Sequence, residues 1–154
     1  MKAETAFKPY GPDDNDACLA LFDANCPAFF APNERADYAA FLSEAPEGYL
    51  VCLHQGRIVG AFGAMPHRDA DARSLNWILI DPTMQRLGIG KAMMAEAARQ
   101  ALVAGASLIH IAASQYSAPY FARFGAEEAG FIKDGWGPDM HCITMVWRLE
   151  EPEA

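Results

Sequence analysis

The chain has 154 residues, enough for one domain that buries a core without disulfide or metal staples. Apolar residues make up 52% and charged residues 21%, which excludes a disordered chain and predicts a single domain over residues 1–154. The formal net charge of −8 excludes a nucleic-acid surface, which needs clustered cations, and favours neutral or cationic small partners.

In chain order, "TAFKPY" alternates weakly as a first strand and stops at "GPDD", where a turn and an N-cap predict a helix over "NDACLALFDAN". A loop "CPAFFAPNE" leads to a second helix over Glu34–Ser43, with Tyr38, Phe41 and Leu42 at helical spacing. "GYLVCLHQGRIVGAFGAMP" is two apolar runs joined at Gln55-Gly56, an antiparallel hairpin. "SLNWILI" is a strand whose unbroken apolar centre predicts burial on both faces. A helix follows from Gly88 to Ala104, ended by Gly105 as its C′ residue. "SLIHIAAS" is another buried strand, and "APYFARFG" a short helix stopped at Gly125. Two last strands, Glu128–Lys133 and His141–Leu149, flank the turn-rich "DGWGPDM". The order is β-α-α-β-β-β-α-β-α-β-β, an α/β (α+β) arrangement.

No apolar run approaches the ~18 residues of a membrane span, and "MKAETAFKPYGPDD" has no apolar leader core, so the cytoplasm is the expected place and no membrane partner is expected. Cys18, Cys26, Cys52 and Cys142 are scattered, which predicts four reduced thiols and no metal site. The acid-rich tail "LEEPEA" reads as a solvated end.

One stretch carries chemistry. In "DPTMQRLGIGKAMM" a strand feeds through Gly88 and Gly90 into a helix, delivering unpaired backbone N–H groups at the positive helix end. That is an anion site, with the glycines letting a phosphate approach the backbone and Arg86 and Lys91 adding charge. A Walker loop is excluded by spacing and by the lack of a magnesium-binding hydroxyl. A dinucleotide fingerprint is excluded by Met93 at its third small position and by the absence of a ribose-binding carboxylate in the following strand.

Gln85-x-x-Gly88-x-Gly90 resembles the Q/R-x-x-G-x-G/A motif of the GNAT superfamily of acyl-CoA-dependent N-acetyltransferases. Pro82 holds the usual turn position, and "SQYSAPYFARFGA" resembles the superfamily's second signature. The resemblance extends to the element order over nearly the whole chain. It implies a mixed, mostly antiparallel twisted sheet of six to seven strands with four helices, whose central strands splay to form an acyl-CoA cleft.

By that resemblance, backbone groups of Leu79 and Ile80 pair with the pantetheine arm, and backbone N–H groups of Gln85, Arg86, Leu87, Gly88, Ile89, Gly90 and Lys91 hold the pyrophosphate of acetyl-CoA. The reaction implied is direct attack of a primary amine, small-molecule or protein, on the thioester in a ternary complex. Relatives often use a carboxylate on the splayed strand as base, but Ser74, Asn76 and Ile78, taken as its inward positions, include no acid. A water chain or a residue on another element is the substitute, with His141 leading and His110, Asp139 and Glu34 beside it. Relatives also place a tyrosine four residues before the helix-ending glycine as acid; here that position is Phe121, with Tyr120 one place early. Catalytic candidates are therefore His141, Tyr120 and Asn76, with Tyr116 a second phenol. Phe121 lines the acetyl pocket and Ser114 stands where the family has an Asn. Phe29, Phe30, Trp136 and Asp139 face the acceptor. Homodimers are common in the family and are left open. Two alternatives remain: an acyl-CoA-binding sensor without catalysis, and thioesterase-like chemistry by Cys142 and His141, which adjacent strand positions argue against.

Overall fold

The computed structural model describes residues 5–149, the side chains of Asn76, Gln85 and Arg86 excepted. Its elements are β1 (Thr5–Pro9), α1 (Asn15–Ala24), α2 (Glu34–Ser43), β2 (Leu50–His54), β3 (Arg57–Pro66), β4 (Ala72–Ile80), α3 (Ile89–Val103), β5 (Leu108–Ala113), α4 (Ala118–Ala122), β6 (Glu127–Gly137) and β7 (Met140–Arg148). This is the order expected from the sequence. The seven strands form one sheet, β1-β2-β3-β4-β5-β7-β6. Only β4 and β5 run parallel, because only they are joined by a crossover helix, α3.

Local chemistry explains most boundaries. Gln55 and Gly56 both take positive φ, 52° and 79°, the twist that closes a two-residue hairpin between β2 and β3. In α2 the buried residues Tyr38 and Leu42 are one turn apart, with Phe41 half-buried beside them. Helix α3 buries Met93, Met94, Ala97 and Ala101 against Val59, Phe62, Ile109 and Ile111 on one sheet face. On the other face, α1 and α2 set Cys18, Phe22, Tyr38 and Leu42 against Val51, Ala61 and Leu79. Among the described residues no helix is long and apolar enough to cross a membrane.

Two features depart from the sequence reading. First, β4 carries a bulge: Ala61 pairs Leu79 but Gly63 pairs Asn76, so Phe62 stands opposite both Trp77 and Ile78. Trp77 there has φ 47°. The bulge reverses side-chain parity, sending Leu75 and Ile78 to the α3 face and Trp77 and Leu79 to the α1–α2 face. Ser74 and Ile78 therefore do not share an inward face. Tyr49 anchors the bulge by donating its hydroxyl hydrogen bond to the Trp77 carbonyl at 2.6 Å, and its oxygen lies 2.9 Å from the Tyr38 hydroxyl.

Second, β6 does not end at Lys133 but runs to Gly137, with an irregular register after Ile132. Only Pro138 and Asp139 turn the chain, Asp139 at φ 62°. Trp136 explains the extension: its ring nitrogen donates to the Ala113 carbonyl at 3.0 Å and its own carbonyl accepts from the Asn33 amide at 2.8 Å.

Candidate active site

The parallel ladder between β4 and β5 stops at Leu75 and Ile111, although the strands continue to Ile80 and Ala113. A cleft of about 1110 Å³ occupies the gap, walled by the N-terminus of α3, by α4, by the segment between α1 and α2, and by β6. The carbonyls that would continue the sheet are taken by side chains. Asn25, closing α1, donates from one amide nitrogen to Leu21 O (2.8 Å) and Ile80 O (3.0 Å), and Trp136 occupies Ala113 O. Ser114 accepts the N–H groups of Tyr116 and Ser117, turning the chain into α4.

At one end of the cleft the two glycines do different work. Gly88 has φ +76°, and a Cβ built there meets nothing within 4 Å, so the backbone at the start of α3 is open to a ligand. The first N–H groups of the helix are free of intrahelical partners. Gly90 is closed: a Cβ would collide with the Tyr120 hydroxyl and lie 3.0 Å from the Ile80 Cδ1. Gly90 thus leaves room for Tyr120 through its missing Cβ, a role the sequence reading did not give it, while its backbone still lines the cleft. Leu87 is half exposed and Ile89 is buried in the core, so either serves the cleft only through its backbone. Lys91 and Arg123 line this end as cations. The side chains of Gln85 and Arg86 lie outside the described residues.

An open helix terminus, a strand edge without ladder partners and an apolar wall of Ile78, Ile80, Phe121 and Phe124 suit a long ligand with a phosphate head and an amide-bearing arm, the chemistry of coenzyme A. Among the described residues the Tyr120 hydroxyl is buried without a hydrogen-bond partner, and burial raises its pKa.

The other end is aromatic. Phe29, Phe30, Trp77, Tyr116 and Trp136 surround it, with Phe30 centred 6.1 Å from Trp77 and 5.3 Å from Phe22. Phe30 both covers the α1–α2 core and lines the cleft. Among these rings stands Glu34, 4% exposed, its Oε2 accepting the Ala31 N–H at 2.7 Å. That bond fixes the carboxylate at the start of α2. Burial pushes its pKa up to about 7, the Ala31 N–H opposing and Asp37 reinforcing the shift.

The structure gathers Leu79, Ile80, Gly88, Gly90 and Lys91 with Ser114, Tyr120, Phe121, Phe29, Phe30 and Trp136 around one cleft. His141 is not in that set. Its Nδ1 accepts the Asp134 N–H at 3.0 Å and its ring lies 5.3 Å from Phe131, because β7 turns this side chain onto its hairpin partner β6. His110 stacks on His67 at 4.5 Å instead of facing the cleft. Asp139 borders an adjoining hollow of about 620 Å³ shared with Phe29 and Tyr116. Ser114 lines the cleft, but its hydroxyl is engaged at the start of α4. Cys142 is not a ready nucleophile: burial and then Glu34 raise its thiol pKa. The Asn76 side chain lies outside the described residues.

Sequence reasoning missed Trp77, Asn25 and Gln115. Gln115 accepts the His141 N–H and donates to the Asp139 carbonyl, tying the end of β5 to the β6–β7 turn. Nothing local to these residues announces a partner so far along the chain.

The fold recurs among solved structures. A protein from Desulfovibrio desulfuricans assigned to the GNAT acetyltransferases superposes with a TM-score of 0.76 at 21% identity, over 94% of this chain and 99% of that one. The ribosomal-protein-S18-alanine N-acetyltransferase of Escherichia coli gives 0.76 at 17% identity, over 97% of each chain. An aminoglycoside 6'-N-acetyltransferase complexed with coenzyme A gives 0.73 at 13% identity, over 96% and 99%. No curated protein sequence matches significantly. The model of the Acetyltransferase (GNAT) family matches residues 18–126, from α1 through α4, and the chain therefore belongs to the GNAT acetyltransferases.

Proposed function

We propose that the protein is an acetyl-CoA-dependent N-acetyltransferase that acetylates a primary amine by direct transfer, with Glu34 as general base. One observation carries the reading: the cleft joins an open helix N-terminus at Gly88 to a buried carboxylate at Glu34, a donor end and an acceptor end in one space. Acetyl-CoA supplies an acyl group already activated as a thioester. The backbone of α3 from Gly88 to Lys91 holds its pyrophosphate, and β4 at Leu79 and Ile80 aligns its arm.

An aliphatic amine of pKa ~10 arrives mostly as ammonium and must lose a proton before it can attack. Glu34 takes that proton; its raised pKa keeps it basic enough to do so near neutrality, and the ammonium beside it favours the ionised carboxylate. The nitrogen lone pair then forms the C–N bond as the C–S bond breaks. The sulfur leaves with the bonding electrons and is protonated by the second amine proton or solvent. A thiol of pKa ~8.5 leaves tolerably without an acid, which fits Phe121 at the position of the family's tyrosine. Tyr120, packed on Gly90, stands beside the cofactor loop instead.

The sensor alternative rests on Phe121 and on the acid-free strand, and on the proposed reading Glu34 supplies from α2 the carboxylate that β4 lacks. Calorimetry with coenzyme A and a thiol-release assay over an amine panel test the proposal. The parent should bind coenzyme A and release thiol with at least one amine. Gly88→Trp should keep its far-UV spectrum and lose the cofactor. Undiminished binding in that variant refutes the assigned cradle, and binding with no turnover of any amine favours the sensor.

A further inference from the structure

Resting on the transferase reading, we infer that the acceptor is a small primary amine on an apolar, preferably aromatic, body with no free carboxylate near the nitrogen. The acceptor end is walled by Phe29, Phe30, Trp77, Tyr116 and Trp136, and among the described residues the carboxyl lining this cleft is Glu34, Asp139 bordering the adjoining hollow. Among the described residues no Lys, Arg or His lines that end; the cleft's two cations, Lys91 and Arg123, sit on α3 and at the end of α4. The nearby guanidinium of Arg35 is turned away and paired with Asp23 at 2.8 Å.

An amino-acid substrate would bring its carboxylate into this enclosure. There it would find no cation among the described residues, no free donor from the Asn25 amide nitrogen, already committed to Leu21 and Ile80, only the neutral hydroxyl of the half-exposed Tyr116, and the like charge of Glu34. A buried anion without a partner is strongly disfavoured. The ammonium of a decarboxylated amine meets the opposite conditions: aromatic faces that attract a cation, and a carboxylate that accepts its proton. The excess negative charge of the whole chain works the same way, drawing monocations and giving zwitterions no net pull.

The test compares 2-phenylethylamine, phenylalaninamide and phenylalanine, which share one body and differ in charge beside the nitrogen. With saturating acetyl-CoA, kcat/KM for the first two should exceed that for phenylalanine by on the order of a hundredfold, the usual consequence of an unpaired like charge. Calorimetry on the coenzyme A-loaded protein should give the same ranking in affinity whether or not turnover is seen. Glu34→Gln should narrow the affinity gap at pH 8 by removing the repelling charge. Equal or better use or binding of phenylalanine overturns the inference and leaves acetyl transfer standing, as does failure of every aromatic amine to bind the loaded protein. Failure of the protein to bind coenzyme A at all sinks the transferase reading itself.

Discussion

Replacing Gly90 by Ala should destabilise the protein, and the loss should vanish when Tyr120 is also replaced by Phe. A Cβ at Gly90 would collide with the Tyr120 hydroxyl, while its other close neighbours, Ile80 Cδ1 at 3.0 Å and Tyr120 Cζ at 3.2 Å, need give only a few tenths of an ångström. Overpacking of this kind costs about 1–3 kcal/mol, against which alanine in place of glycine within a helix returns up to ~1 kcal/mol. The single variant should therefore lose about 1–2 kcal/mol, a fall in Tm of roughly 2–8 °C for a chain of this length. Tyr120→Phe alone should be neutral or stabilising, because the hydroxyl it removes is buried without a partner. In the double variant the glycine-to-alanine gain is realised, so the coupling between the sites should exceed ~1 kcal/mol. Urea denaturation of the four proteins, followed by far-UV circular dichroism, closes the cycle. If Gly90→Ala costs nothing, or the two changes add to within ~0.5 kcal/mol, Tyr120 does not fill the space at Gly90 and the separation of the two glycine roles fails.

Two further perturbations probe the cleft. Glu34 holds its proton more tightly in the folded chain, with its pKa raised from 4.5 to about 7, so its contribution to stability is full below about pH 4.5 and is lost as pH rises through 7. Urea titrations should show Glu34→Gln gaining on the parent between pH 5 and pH 8, by at most about 3 kcal/mol; a constant difference rejects the shift. In the thiol-release assay the same variant should lose the rising limb of kcat/KM near pH 7, and an unchanged limb means that another group is the base. Tyr49→Phe removes the donor to the Trp77 carbonyl and should cost about 1–3 kcal/mol, with a larger loss in turnover than in coenzyme A affinity; equal losses would mean that the bulge does not shape the acceptor side.

The chain's periodicity carried most of the architecture. Tyr38 and Leu42 fall one turn apart in α2, and Gln55-Gly56 closes a hairpin through positive φ at both residues, so element order followed from local pattern. The open helix start at Gly88 was equally legible, because a glycine there has a local meaning. The bulge at Trp77 was not. "SLNWILI" is apolar on both sides of it with no glycine or proline to mark a break, and the irregularity is set by Phe62, Tyr49 and the helices behind them. The segment "DGWGPDM" misled for the converse reason: its turn-forming composition is overridden by Trp136, held on Ala113 and Asn33. Glu34 was visible as a helix-starting acid, but its burial among aromatic rings from several separate segments is a tertiary fact. His141 was favoured by sequence proximity to a supposed loop, and the pairing of β6 with β7 turned it elsewhere.

The parity reversal in β4 also bears on how the two substrates communicate. Trp77, among the cleft's aromatic walls, and Ile78 to Ile80, beside the proposed course of the donor arm, are consecutive residues of one strand hydrogen-bonded at the Trp77 and Ile80 carbonyls. An amine that shifts Trp77 would act on the same few peptide units that the proposal sets against the thioester arm. Coupling of this kind is reciprocal, so any factor by which coenzyme A strengthens amine binding must reappear as the factor by which the amine slows release of coenzyme A or speeds its capture. On the proposed reading, a single extra residue in a strand thereby ties donor and acceptor binding through one coupling free energy.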